Sequence, residues 1–186
     1  ADKRATEVNE PGPKVGLEEL DRMSALVAEN AGNWDWLVMS GTMPPGTPPD
    51  YYAKLINLAK SKGCRVALDS SGYAMAEGLK AVPNLIKPNE EEIEEIFGKR
   101  PANEVEAAAC VRQLMGWGIE YVLLTLGKDG AFIGHDGRVW QARPPEVAVV
   151  NTIGCGDSTV AGMLHGLMQN LSIEEASKYF YFFKRY

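Results

Sequence analysis

Short apolar runs alternate with amphipathic stretches along almost the whole chain, and this alternation constrains the fold more than any other feature. Residues 36–39, 64–68, 85–86 and 119–124 read as buried strands. The intervening segments carry apolar residues at helical spacing. Leu17, Leu20, Ser24 and Val27 form one stripe; Tyr52, Leu55, Ile56 and Ala59 form a second. A helix opening at Asn89 turns Ile93, Ile96 and Phe97 inward and stops at Gly98. Asn103 is expected to cap the next, whose stripe is Val105, Ala108, Val111, Leu114 and Met115. Residues 130–133 and 138–141 flank His135, Asp136 and Gly137, a hairpin turn. Strands at 147–150 and helices over 159–169 and from Ile173 complete the pattern. Buried strands alternating with helices imply a three-layer α/β/α fold around a mostly parallel sheet, in a single domain over residues 1–186.

Polar or glycine-bearing clusters fall just after the strands: Ser40 and Gly41, Asp69 and Ser70, Lys87-Pro88-Asn89, and Thr125-Leu126-Gly127. In open α/β sheets ligands bind at the carboxyl ends of strands. A fifth cluster says what kind of ligand. Asn151-Thr152-Ile153-Gly154-Cys155-Gly156-Asp157-Ser158 reads as strand, glycine turn, then helix. Gly154 and Gly156 let backbone N–H groups turn toward one point, and the helix start adds its own N–H groups and dipole. That construction binds an anion, and the acid Asp157 inside it suggests chemistry on a phosphate. A tight turn with a capping acid is the plainer alternative. A P-loop is excluded because no Lys follows the glycines. The dinucleotide fingerprint is excluded because Thr159 stands where its third glycine belongs.

Other polar residues have plain readings beside functional ones. Glu91 and Glu95 read as a solvated acidic face, whereas Glu92, on the flank of its helix, could act through water on a phosphate-bound Mg²⁺. Asp69 would more often cap a helix than act on substrate. His135 reads as a turn residue and His165 as a helix-surface residue; neither is assigned a role. Met163, Leu164, Leu167 and Met168 read as core.

The totals narrow the class. A net charge of −6 argues against a broad nucleic-acid surface, and no apolar run approaches the ~20 residues of a membrane span. Three widely spaced cysteines without a C-x-x-C pair, and an opening unlike a signal peptide, predict a cytoplasmic protein without structural zinc.

In this order the clusters resemble the PfkB (ribokinase-like) carbohydrate kinase family. Residues 151–158 match its D/N-x-x-G-A-G-D-S signature, and Asn89-Glu90-Glu91-Glu92 matches its N-x-x-E motif. Residues 40–46, 69–72 and 9–13 look like its hexose-phosphate branch, closest to the 1-phosphofructokinase type. The resemblance implies ATP-dependent phosphoryl transfer to a hydroxyl of a hexose phosphate. Fructose 1-phosphate is the expected acceptor, and tagatose-6-phosphate kinase and minor 6-phosphofructokinase are the alternatives. A non-catalytic nucleotide-binding fragment is the alternative of another class.

By the same resemblance Asp157 is the catalytic base, and Gly154, Cys155 and Gly156 form the anion hole. Lys87, Asn89, Thr125 and Gly127 serve the nucleotide, Thr42 the sugar, and Glu92 and Asp69 the Mg²⁺. It also implies that the family's N-terminal lid and sugar-binding portion, and its closing C-terminal segment, lie outside this chain. A homodimer built on that lid is the expectation for the full-length protein. Cys155 replaces the signature's usual Ala and, as a thiol at a helix N-terminus, is read as an oxidisable brake.

Overall fold

The computed structural model describes residues 12–144 and 154–182. The expected strand over 147–150 and the first residues of the signature, Asn151, Thr152 and Ile153, lie outside them, as do residues 9–11 of the proline-rich segment.

Helix α1 (Leu17–Asn30) leads to β1 (Trp36–Ser40), α2 (Tyr51–Ser61), β2 (Arg65–Asp69), α3 (Gly72–Lys80) and β3 (Leu85–Ile86). Then come α4 (Glu90–Phe97), α5 (Glu104–Gly116), β4 (Tyr121–Thr125), β5 (Ala131–His135) and β6 (Arg138–Ala142). Helices α6 (Cys155–Met168) and α7 (Ile173–Phe182) follow. The six strands lie in one sheet in sequential order. β1 to β4 are parallel, and β5 and β6 are added antiparallel.

Side chains alternate across a strand, so each strand feeds two cores. Val66, Leu68, Ile86, Val122, Leu124 and Phe132 belong to the core that also takes residues of α1 to α5. Ala67, Leu85, Tyr121, Leu123 and Ile133 face the opposite way and pack with Val160, Met163 and Leu164 of α6 and Ile173 and Ala176 of α7. This is the three-layer α/β/α fold, with helices on both faces of a mostly parallel sheet.

Several local expectations are corrected. Val105 is 77% exposed, because α5 seats Ala107, Val111 and Leu114 on the sheet and Val105 lies about 200° round the helix from Ala107. Met168, at the end of α6, is exposed rather than core. Leu17 is exposed as well, at the first position of α1. His135 belongs to β5, its ring stacked on Tyr121 at 4.2 Å, so the turn narrows to Asp136 and Gly137. Both turn residues have positive φ, the conformation a two-residue hairpin of matching twist requires.

The correction that matters for chemistry is the start of α6. The helix begins at Cys155, immediately after Gly154 in the left-handed region at φ 73°, so Gly156 and Asp157 are first-turn residues rather than part of a preceding loop.

Candidate active site

Parallel pairing fixes the ends of the strands relative to one another. Ser40 is in register with Asp69, and Asn89 bridges to Thr125, so four of the five polar clusters share one edge of the sheet. The start of α6 reaches the same edge: the Ser40 hydroxyl donates to Asp157 Oδ1 at 2.9 Å. Residues far apart in the chain are thus brought to one place.

Below α6 lies an ion pair. Lys87 follows β3 and is only 5% exposed, and its ammonium stands 3.0 Å from Asp69 Oδ1. A buried ammonium needs such a partner. A Cβ placed on Gly156 would come within 3.4 Å of Lys87 Nζ and 3.8 Å of Asp69 Oδ2. The first turn of α6 therefore rests on the pair, and Gly156 leaves room for it. By helix geometry the N–H groups of Cys155, Gly156 and Asp157 have no intrahelical acceptor. Those free N–H groups and the helix dipole form a positive pole suited to an anion.

Asp69 does not cap α3, as the plainer reading of the sequence had it. The Gly72 N–H at the start of α3 donates instead to Glu95 Oε2 at 2.8 Å. Glu95 and Glu91 are both exposed, and Glu91 pairs with Arg100 at the surface. Burial pushes the Asp69 carboxyl above the usual carboxylate range; Lys87 opposes this and Asp157 adds to it.

Asn89 and Glu92 open α4 as a reciprocal pair. Asn89 Oδ1 accepts from the Glu92 N–H at 2.9 Å, and Glu92 Oε2 accepts from the Asn89 N–H at 2.8 Å. Burial raises the Glu92 carboxyl too; the Asn89 N–H and Lys87 work against it, and Asp69 and Glu95 reinforce it. Asp69 and Glu92 therefore sense one another and Lys87. Among the described residues no group of three or more His, Cys, Asp or Glu side chains gathers to hold a metal. Two partly buried carboxylates fit Mg²⁺, which takes one or two protein carboxylates and completes its shell with water and phosphate oxygens.

Thr125 ends β4 with its N–H on the Pro88 carbonyl, which brings it against the Lys87-Pro88-Asn89 segment. Gly127 begins a short 3-10 turn at φ 55°, and nothing lies within 4 Å of where its Cβ would be. Its backbone is open to close approach. Beside this turn a cleft of about 500 Å³ is lined by Leu126, Lys128 and Asp129 together with Asn103 and Arg143. Thr42 is exposed in the loop after β1, and none of the hydrogen bonds described ties its side chain to the other site residues. Cys155 is a half-buried free thiol in the first turn of α6.

Sequence reasoning missed Ser40 as an individual residue. It marked the cluster and assigned the contact to Thr42, two positions on. The available signal was strand alternation, which gives the last residue of β1 a side chain on the same face as Trp36 and Val38, opposite the helices between strands.

Comparison with known proteins agrees with this fold. The model of the pfkB family carbohydrate kinases matches residues 3–179. A tagatose-6-phosphate kinase of Staphylococcus epidermidis is 37% identical over 176 residues, 93% of this chain and 57% of the relative. The tetrameric inhibited form of phosphofructokinase-2 from Escherichia coli superposes with a TM-score of 0.87 at 28% identity, covering 93% of this chain and 57% of that one. A Thermotoga maritima protein described as a possible 1-phosphofructokinase shares the fold, with a TM-score of 0.83 at 20% identity over 95% of this chain and 56% of that one. The chain thus spans under three-fifths of the length of these relatives. Its fold, its signature residues and the matched span together place it in the pfkB family of carbohydrate kinases.

Proposed function

We propose that the protein of which this chain forms the phosphate-handling part transfers a phosphoryl group from MgATP to a hydroxyl of a hexose phosphate. The observation that carries this reading is the Asp157 carboxylate standing in the first turn of α6, above the buried Lys87–Asp69 pair. An anion hole and a base in one helical turn supply what phosphoryl transfer needs, positioning and charge stabilisation.

In this reading Asp157 accepts the proton of the attacking hydroxyl. The new bond forms from the sugar oxygen to the γ-phosphorus as the bond to the bridging oxygen of ADP breaks. The N–H groups around Gly154, Cys155 and Gly156 hold the charge of the group in transit, with Lys87 behind them. Asn89, Thr125 and Gly127 line the approach of the nucleotide, and Thr42 borders the sugar. Glu92 and Asp69 would hold Mg²⁺, which neutralises phosphate charge when bound.

For the acceptor we favour tagatose 6-phosphate, from the 37% identical relative. Fructose 1-phosphate, expected from the sequence, is the second reading; the similar protein described in those terms is 20% identical and bears on the fold alone.

The test compares this chain with a version extended at both ends to the length of its relatives. Each is assayed with MgATP against tagatose 6-phosphate, fructose 6-phosphate and fructose 1-phosphate. Turnover is expected from the extended protein and is lost by a factor of roughly a thousand or more in Asp157→Asn, with MgATP binding retained. Near-normal turnover in that variant removes the base. Binding of MgATP without turnover of any sugar phosphate would favour a nucleotide-binding module.

A further inference from the structure

We propose that Ser40 is a positioning residue that aims the Asp157 carboxylate; the proposal rests on the kinase reading above. An acid at the third position of a helix tends to fold back onto the helix's own N–H groups. Glu92 does this at the start of α4, where its carboxylate accepts from the Asn89 N–H. Asp157 occupies the equivalent position of α6 but bonds across to Ser40, 117 positions away. A self-capping Asp157 would fill the anion hole with its own charge. Held at Oδ1 by the Ser40 hydroxyl, it leaves the N–H groups open to phosphate, and among the described residues Oδ2 has no other partner and can take a substrate proton.

Ser40 is itself held on its C-terminal side. The Gly41 N–H donates to the Asp69 carbonyl at 2.8 Å, and the Gly41 carbonyl accepts from the buried Ser70 hydroxyl at 2.8 Å. Tyr52 reaches the same carbonyl at 3.4 Å. Asp69 is also the register partner of Ser40, so one residue anchors the end of β1 and the ammonium of Lys87. The hydroxyl therefore projects from a pinned backbone rather than from a free loop, and it ties the end of β1 to the start of α6.

Two measurements test this on Ser40→Ala and Ser40→Thr. In whichever form of the protein turns over, Ser40→Ala is expected to lower kcat roughly ten- to hundredfold, the size of one lost hydrogen bond to a carboxylate. KM for MgATP and for the sugar phosphate should stay within about twofold, and Ser40→Thr, which keeps the hydroxyl, should recover most of the rate. A rise in KM for the sugar with kcat unchanged would make Ser40 a substrate contact and overturn the proposal. The second measurement needs no turnover: the χ1 rotamer distribution of Asp157, read from three-bond NMR couplings in the 186-residue chain. One dominant rotamer is expected in the parent and in Ser40→Thr, and averaging in Ser40→Ala. An unchanged single rotamer in Ser40→Ala overturns the proposal whatever the kinetics show. If the extended protein is inert toward every sugar phosphate, the kinase reading fails while the rotamer result still decides the role of Ser40.

Discussion

At the scale of single residues the site is a set of charges taken partly out of water and made to share one another. Lys87 and Asp69 neutralise each other beneath α6, and Glu92 sits close enough to feel both. Burial dominates for the two acids, and each carboxyl is raised above its ordinary value. An acid whose pKa is higher folded than unfolded holds its proton more tightly when folded. Its stabilising contribution is therefore full below the unfolded value and is lost as pH rises through the folded one. For Glu92 this gives a prediction with a sign. Glu92→Gln, which keeps a side-chain oxygen for the Asn89 N–H, should be more stable than the parent at pH 7 in chelator. The difference should shrink as pH falls toward the ordinary glutamate value of 4.5. Urea unfolding at several pH values reads this directly. A variant less stable at pH 7 would show that the Asn89 hydrogen bond outweighs burial.

Elements carry these residues to the site, and close packing aims them. Gly166 of α6 meets α7 without a side chain between: a Cβ there would stand 2.5 Å from Ala176 Cβ and 2.7 Å from its Cα. Backbone cannot yield as a flexible side chain can. Gly166→Ala gains helix propensity of ~1 kcal/mol and loses more through overpacking, for a net destabilisation of about 1–2 kcal/mol. Denaturant unfolding measures it, and a stabilised variant would mean that α7 moves freely on α6. The elements were also the most legible level of the sequence. Asn89 and Asn103 each cap their helix through a side-chain oxygen, and Gly98 ends α4 in the left-handed region, as local chemistry dictates. Where element readings slipped, the cause was tertiary. Val105 looked like part of an apolar stripe, but which side of α5 meets the sheet is settled by the sheet.

For the whole molecule, the sheet has two unlike edges. Along β1 the Arg65 N–H bonds to the Asp35 carbonyl and the Gly41 N–H to the Asp69 carbonyl. Residues 35, 37, 39 and 41 thus turn their backbone groups toward β2, and by alternation Trp36, Val38 and Ser40 turn theirs away. Among the described residues no strand pairs with that outer side. An open strand edge of this sort is one that proteins ordinarily cover, and on the face of the same strand Val38 is 45% exposed. In hydrogen exchange on this chain, the amides of Trp36, Val38 and Ser40 should exchange much faster than those of Leu37 and Met39. Equal protection at all five would show that another strand lies against β1.

The sequence by itself determined the alternation of strands and helices, the caps, the glycine turn before α6 and the identity of the acid that follows it. These rest on periodicity and on local backbone chemistry, which neighbours in the chain settle among themselves. Only the tertiary structure decided that Lys87 lies under α6 rather than in solvent, that Asp69 serves Lys87 rather than capping α3, and that Ser40 meets Asp157. Those contacts join residues that share no local pattern. They exist because parallel pairing brings the ends of β1 to β4 to one edge, and because α6 crosses to that edge from the opposite layer.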